Sequence, residues 1–207
     1  MAPVLEALDT DPLVLHLQPG ITMTEDQFFE FCQINRFWRI ERTAQGDILI
    51  MSPVGGGGST RNAGVSAQLW VWAERDGSGV AFESSAGFTL PNGAMRSPDA
   101  AWVRNSRLEN ITAGQWEKFL PLCPDFVAEV RSATDRLSTL KGKMLEYLEN
   151  GALLGWLIDP QKKHVYVYRP HAEVQSLEAP ATLSGDPELP GFVLELRRVW
   201  DPRFPRS

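Results

Sequence analysis

Apolar residues recur at helical spacing in three stretches of the chain. In the first stretch, Thr24 is a suitable N-cap for a helix that reaches Phe31, and Gln27 completes a capping box. The second predicted helix covers residues 61–75 and is followed by glycines. The third covers residues 137–149 and ends at an Asn-Gly pair. The chain is therefore expected to have an early, a middle and a late helix.

Between these helices, short apolar or alternating runs bounded by turn residues predict β-strands. The first two strands flank the turn Ala44-Gln45-Gly46 and predict a β-hairpin. The four glycines at 55–58 predict a flexible connection into the second helix, and residues 171–190 are expected to be rich in loops. This order of elements predicts an α/β or α+β layer fold with a mixed central sheet flanked by helices. The predicted strands are 37–41, 47–51, 80–82, 87–90, 98–103, 123–131, 154–158, 165–168 and 192–196.

The length of the chain limits the number of domains. Its 207 residues, 43% of them hydrophobic, can bury one good core, and this length argues against a second full domain. Residues 1–21 show no periodicity and carry several prolines, so they predict a loose N-terminal arm. We expect a single domain over residues 22–200 and a short tail over 201–207.

The charge of the chain restricts its possible partners. A net charge of −6 argues against a protein that coats nucleic acid, because phosphate contacts require lysine and arginine. A nuclease remains possible, since a site built from carboxylates adds negative charge that a metal ion offsets. Such a protein would contact DNA through a local basic patch.

The chain also lacks the signals of secreted and membrane proteins. No run approaches the ~18 consecutive apolar residues of a transmembrane helix, and the N-terminal residues lack the basic region of a signal peptide. Cys32 and Cys123 have no C-x-x-C spacing and are predicted to be buried thiols. We therefore expect a cytoplasmic protein with no membrane contact.

Two carboxylates stand in unusual surroundings. Asp99 follows Pro98 at the start of an apolar strand, and Glu129 lies inside the apolar run Phe126-Val127-Ala128-Glu129-Val130. Burying an unpaired carboxylate is costly, so Glu129 requires a partner, a metal ion or a raised pKa. A structural ion pair with Arg131 or another arginine would satisfy this requirement equally well.

The helix that follows Glu129 favours a functional site over a structural ion pair. Lys143 and Tyr147 are four residues apart, so they share a helix face that can return to the sheet. This arrangement can bring an ammonium group next to two carboxylates. Two carboxylates can hold a hard divalent cation such as Mg²⁺, while a neighbouring positive charge orients the attacking water. The pattern predicts a hydrolytic phosphodiesterase site.

An ordered set of motifs extends this pattern over nearly the whole chain, from about residue 22 to residue 200. The set resembles the Uma-two type of restriction-endonuclease-like proteins, within the PD-(D/E)xK nuclease superfamily. Single pieces such as Pro-Asp are weak signals, whereas the ordered set is specific. The motifs are Met51-Ser52-Pro53, Arg61-Asn62, Ser97-Pro98-Asp99-Ala100, Pro124 to Ser132, Lys143-x-x-x-Tyr147 and Gly155 to Pro160.

This resemblance implies a restriction-endonuclease-like core with an active site on two adjacent strands. Carried over to this chain, it makes Asp99 and Glu129 metal ligands and catalytic residues. The lysine of the superfamily motif is Arg131 here, and Lys143 on the next helix matches the displaced catalytic lysine. Glu41 matches an acidic position that could complete the metal site.

The resemblance further implies Mg²⁺ or Mn²⁺ as cofactor and DNA as substrate. Arg61 and Arg131 are expected to bind the substrate. A homodimer is expected, because cutting both strands of a duplex commonly uses two sites.

Two other functions remain open at this point. A nuclease-derived module could bind nucleic acid or a protein partner without cutting, and Arg131 and the net charge of −6 favour it slightly. A structural α/β protein with all its charges paired is a further alternative. The intact set of Asp99, Glu129 and Lys143 favours a metal-dependent DNA endonuclease over both.

Overall fold

The computed structural model describes residues 12–18 and 20–203. The predicted capping box at Thr24 and Gln27 is confirmed at the start of the first helix. The helices are Glu25–Ile34 (α1), Gly56–Asp76 (α2), Asn105–Leu108 (α3), Ala113–Trp116 (α4), Leu137–Glu149 (α5) and Arg197–Trp200 (α6). The strands are Leu13–Leu15 (β1), Arg39–Arg42 (β2), Ile48–Met51 (β3), Gly79–Glu83 (β4), Phe88–Thr89 (β5), Met95–Arg96 (β6), Ala100–Arg104 (β7), Phe126–Val130 (β8), Leu154–Asp159 (β9), His164–Tyr168 (β10), Gln175–Glu178 (β11), Thr182–Ser184 (β12) and Val193–Glu195 (β13).

A six-stranded mixed sheet forms the centre of the fold. Its strand order is β11-β10-β9-β8-β7-β4, and β8 and β9 are parallel while the other pairs are antiparallel. Helix α2 covers one face and α5 the other. Because side chains alternate across a strand, Ala100 and Trp102 join the core beneath α2, whereas Ala101 and Val103 join the core beneath α5. The predicted mixed sheet flanked by helices is confirmed.

A second, smaller sheet lies against the first. It has the order β1-β3-β2-β6-β5, and its hairpin β2-β3 is the one that the sequence predicts. Phe28 of α1 packs with Ile40, Ile48 and Met95 of this sheet in a core of their own. The smaller sheet brings β2 close to the strands of the central sheet.

Two local predictions are wrong, and a third is correct but omits two short strands. The segment Leu13–Leu15, inside the predicted loose arm, pairs with β3, while residues 1–11 of that arm lie outside the described residues. The glycines at 56–58 are helical and open α2, because the packing of this long helix on the sheet outweighs their poor propensity. The stretch 171–190 contains β11 and β12, which pair with β10 and β13.

In residues 12–18 and 20–203, no helix combines the length and apolar character needed to cross a membrane. Cys32 and Cys123 are free thiols, and Cys123 is buried. Burial raises the pKa of the Cys123 thiol to about 12, so this thiol is unreactive near neutral pH.

Gly79 at the start of β4 offers a test of the packing of the central sheet. A Cβ atom there would meet the backbone oxygen of Val103 and the ring of Trp102. We expect Gly79→Ala to lower the free energy of unfolding by about 1–3 kcal/mol in urea titrations. Gly64 is the control, because a Cβ in that part of α2 meets nothing within 4 Å. Gly64→Ala is expected to raise stability by about 0.5–1 kcal/mol, and equal losses in both variants would contradict this packing.

Candidate active site

Asp99 and Glu129 lie opposite each other on neighbouring strands. Strands β7 and β8 are antiparallel with Ala100 opposite Ala128, so Asp99, just before β7, falls opposite Glu129. Oδ2 of Asp99 accepts a hydrogen bond of 2.8 Å from the backbone N–H of Val130. Both acids are buried, with 5% of Asp99 and 3% of Glu129 exposed. We call Asp99 and Glu129 the acid pair.

Helix α5 supplies the positive charge beside the acid pair. The ammonium of Lys143 lies 2.8 Å from Oε1 of Glu129 and 2.8 Å from Oε1 of Glu41. One turn later, the hydroxyl of Tyr147 donates a 3.0 Å hydrogen bond to the same Oε1 of Glu129. The structure thus brings together Lys143, Glu129 and Glu41 from three distant parts of the chain.

Arg39 and Asn62 hold the other oxygen of Asp99. Arg39 of β2 donates to Oδ1 over 3.2 Å and also contacts the carbonyl of Ser97, while Asn62 of α2 donates over 2.8 Å. Sequence reasoning did not select either residue for the site. The signal for Arg39 was present, because Arg39 and Glu41 are two apart on one strand and share a face. Asn62 stood in the Arg61-Asn62 motif.

Glu41 contacts protein groups on both of its oxygens. Oε1 accepts from the backbone N–H of Ser97 at 3.0 Å as well as from Lys143, and Oε2 accepts from Arg96 at 3.2 Å. Arg96 in turn contacts Glu146 of α5 at 2.6 Å. Across the described ranges, 12–18 and 20–203, no three acid, histidine or cysteine side chains form a metal-binding group. Glu41 is thus ion-paired with two cations, Lys143 and Arg96.

Comparison with known proteins assigns the chain to a family. The model of the Uma2 family, described as putative restriction endonuclease, matches residues 25–197. The chain belongs to the Uma2 family. The family predicted from the ordered motifs is therefore confirmed.

A solved relative shows the same fold. The crystal structure of a putative nuclease belonging to DUF820, from Anabaena variabilis ATCC 29413, superposes with a TM-score of 0.71. The two chains are 20% identical, and the match covers 86% of this chain and 98% of the other. A search of curated proteins found no match. The restriction-endonuclease-like fold class is confirmed, and family and fold together support a nuclease.

The charges of the Uma2 site shift the pKa values of its acids in opposite directions. Burial raises the pKa of Glu129 to about 7, and the charges of Asp99 and Glu41 add to this against the lowering effect of Lys143. Burial also disfavours the charged form of Glu41, but Lys143, Arg96 and Arg39 outweigh it and lower the pKa to about 2. Of these two acids, Glu129 is therefore the one that is more easily protonated.

The acid pair fits a hard divalent cation. Mg²⁺ is commonly held by one or two carboxylates and completes its shell with water and phosphate oxygens. Asp99 and Glu129 supply two such carboxylates on adjacent strands. Burial and the carboxylates of Asp99 and Glu41 raise the pKa of Glu129, and an added cation would stabilise its charged form.

The two arginines predicted to bind substrate make other contacts in this structure. Arg61 donates from Nε to the carbonyl of Val199 at 2.8 Å. Arg131 forms a 2.9 Å ion pair with the fully buried Asp159 and donates to the carbonyl of Asp135. Arg131 is thus not the partner of Glu129, and the role of both arginines in substrate binding stays a prediction.

Proposed function

We propose that this Uma2 protein is a Mg²⁺- or Mn²⁺-dependent DNA endonuclease with Asp99, Glu129 and Lys143 as its catalytic residues. One observation carries the proposal: two buried acids face each other on adjacent strands, and an ammonium lies 2.8 Å from one of them. This combination suits hydrolysis of a phosphodiester, in which negative charge develops on the phosphate.

The side chains divide the work between them. Asp99 and Glu129 would hold the metal ion, which would supply an acidified water and offset charge on the phosphate. Lys143 orients the attacking water and donates to a phosphate oxygen. Glu41 and Tyr147 keep Lys143 and Glu129 in place through the contacts at Oε1 of each acid.

Glu41 was expected as a further metal ligand, and its contacts support a different task. Glu41 forms ion pairs with two cations, Lys143 and Arg96. Asp99 and Glu129 each form an ion pair with one cation. We therefore assign Glu41 to positioning Lys143, with Asp99 and Glu129 as the protein ligands of the ion.

DNA and a homodimer complete the proposal. The family description, a restriction endonuclease, supports DNA as the substrate. Two copies of the chain would present two sites, one for each strand of a duplex. Arg61 and Arg131 remain candidates for contacting the strand outside the acid pair.

Cleavage assays test this function directly. Purified protein is incubated with supercoiled and with linear DNA in Mg²⁺, in Mn²⁺ or in EDTA. We expect nicked and shortened products with either metal and none in EDTA. Intact DNA in all conditions, with no metal binding by calorimetry, would overturn the proposal.

A non-cleaving nucleic-acid-binding module is the second candidate. Protein cations already neutralise much of this site, since Lys143 contacts Glu41 and Glu129 while Arg39 contacts Asp99. In a binding module, the acids would keep these ion pairs and would not take up a metal ion. DNA binding that is unchanged by metal and followed by no cutting would favour this candidate.

The raised pKa of Glu129 predicts how metal binding depends on pH. Because the folded pKa of about 7 lies above the ordinary 4.5, the metal-free protein loses stability as pH rises through 7. A metal ion competes with the proton on Glu129, so its affinity is expected to fall about tenfold per pH unit below 7. Calorimetric titration with Mn²⁺ at pH 6 and pH 8 measures this slope.

Glu129→Gln serves as the control for the pH effect. This variant removes the titrating group and keeps the shape of the side chain. Its residual Mn²⁺ affinity should vary little between pH 6 and pH 8. A slope equal to that of the wild type would assign the pH dependence to another group.

A further inference from the structure

Two exposed aromatic rings lie in the turn that precedes β2. Phe37 is 83% exposed and Trp38 is 55% exposed, in the turn that joins α1 to β2. The two neighbouring side chains present large apolar surface to water, and contiguous exposed apolar surface marks interaction sites. We call Phe37 and Trp38 the aromatic turn.

The aromatic turn lies between two positive charges. The guanidinium of Arg36 lies over the ring of Phe37, 5.4 Å from its centroid, and Arg39 directly follows Trp38. The six residues 34–39, Ile-Asn-Arg-Phe-Trp-Arg, contain no acid. Arg39 is paired with Asp99, so Arg36 supplies the positive charge beside the exposed rings.

The aromatic turn is also tied to the catalytic centre. Arg39, which directly follows Trp38, donates to Oδ1 of Asp99 at 3.2 Å and so connects the aromatic turn to the acid pair. Two residues span at most about 7 Å, which keeps Phe37 close to Arg39. Arg39 therefore holds the aromatic turn near Asp99, on the side from which its side chain approaches.

We propose that Phe37 and Trp38 stack on unpaired bases of the DNA strand that is cut. This inference rests on the proposed function and adds a preference for DNA with unpaired bases beside the scissile bond. Aromatic rings bind single strands because every base offers a flat face to stack on, while arginines attract the backbone. Stacking suits an acidic protein, since it adds affinity without further positive charge.

Binding measurements in EDTA separate this inference from cleavage. Fluorescence anisotropy compares a labelled single strand with its duplex, for the wild type and for the double variant Phe37→Ala/Trp38→Ala. We expect the wild type to prefer the single strand. The double variant should lose about 5- to 150-fold in affinity for the single strand per stacked base and change little with duplex.

Trp70→Ala is the matched control, because Trp70 on α2 is exposed to the same 55%. Its affinity for the single strand should equal that of the wild type. Quenching of tryptophan fluorescence by the single strand, absent in Trp38→Ala, would add direct evidence of stacking. Equal losses in Trp70→Ala and in the double variant would overturn the inference.

The outcomes also separate the inference from the proposed function. If the double variant binds and cuts single strands like the wild type, and cutting still depends on metal, the inference is overturned and the proposed function stands. A protein that cuts nothing, yet loses single-strand binding in the double variant, retains the inference and loses the nuclease. A double variant that changes from dimer to monomer in light scattering, with DNA binding intact, assigns the aromatic turn to a dimer interface and overturns the inference.

Discussion

Replacing Asp99 by asparagine is expected to lower the rate of metal-dependent DNA cleavage by about 10³-fold, or about 4 kcal/mol of transition-state stabilisation. The substitution keeps the size of the side chain and an oxygen that can accept from Asn62 and Arg39. It removes one of the two negative charges of the acid pair. Single-turnover cleavage of a defined DNA measures the effect, and Mn²⁺ affinity should fall in parallel.

Asp125→Asn is the matched control for this substitution. Asp125 is 3% exposed and forms a 2.8 Å ion pair with Arg104, at the opposite end of the same two strands. Its replacement perturbs a buried ion pair without touching the acid pair. We expect the folded Asp125→Asn protein to cut DNA at the rate of the wild type. Equal losses of rate in both variants would make Asp99 a structural residue.

Lys143→Met is expected to destabilise the protein by about 3–5 kcal/mol at pH 8. Only 11% of the lysine side chain is exposed, and its ammonium contacts both Glu41 and Glu129. Methionine fills a similar volume but leaves these two buried carboxylates without their shared cation. Urea denaturation at pH 8 measures the loss.

A second variant separates charge from packing at Lys143. In the triple variant Lys143→Met/Glu41→Gln/Glu129→Gln the uncompensated negative charge is gone, and we expect much of the lost stability to return. The penalty of the single variant should also shrink as pH falls below 7, because Glu129 then takes up a proton. A penalty that is independent of pH and persists in the triple variant would point to lost packing.

Strand and helix periodicity explain why much of the site could be predicted from the sequence. Glu129 interrupts an apolar strand, and a buried charge in such a run needs a nearby partner. Lys143 and Tyr147 share a helix face, and the predicted bounds of that helix, 137–149, are those of α5. Local pattern and ordered motifs were therefore sufficient to predict these elements and the fold class.

Contacts between distant segments could not be predicted in the same way. The ion pair of Arg39 with Asp99 joins residues 60 positions apart, and nothing local marks their meeting. The strand Leu13–Leu15 forms because β3 offers a free edge, although its own segment shows no periodicity. The engagement of Arg131 by Asp159 likewise depends on the parallel pairing of β8 with β9.

The junction between the two sheets has a consequence for local unfolding. Glu41 and Arg39 belong to the small sheet, while their partners Lys143 and Asp99 belong to α5 and to the start of a central strand. An opening motion that detaches the small sheet would separate Arg39 from Asp99 and Glu41 from Lys143 while the central sheet stays folded. Amide hydrogen exchange of β2 and the loss of the proposed nuclease activity under mild denaturant would then report the same free energy of opening. Protease cleavage in the turn at 44–46 would also loosen the small sheet and is therefore expected to abolish the proposed nuclease activity.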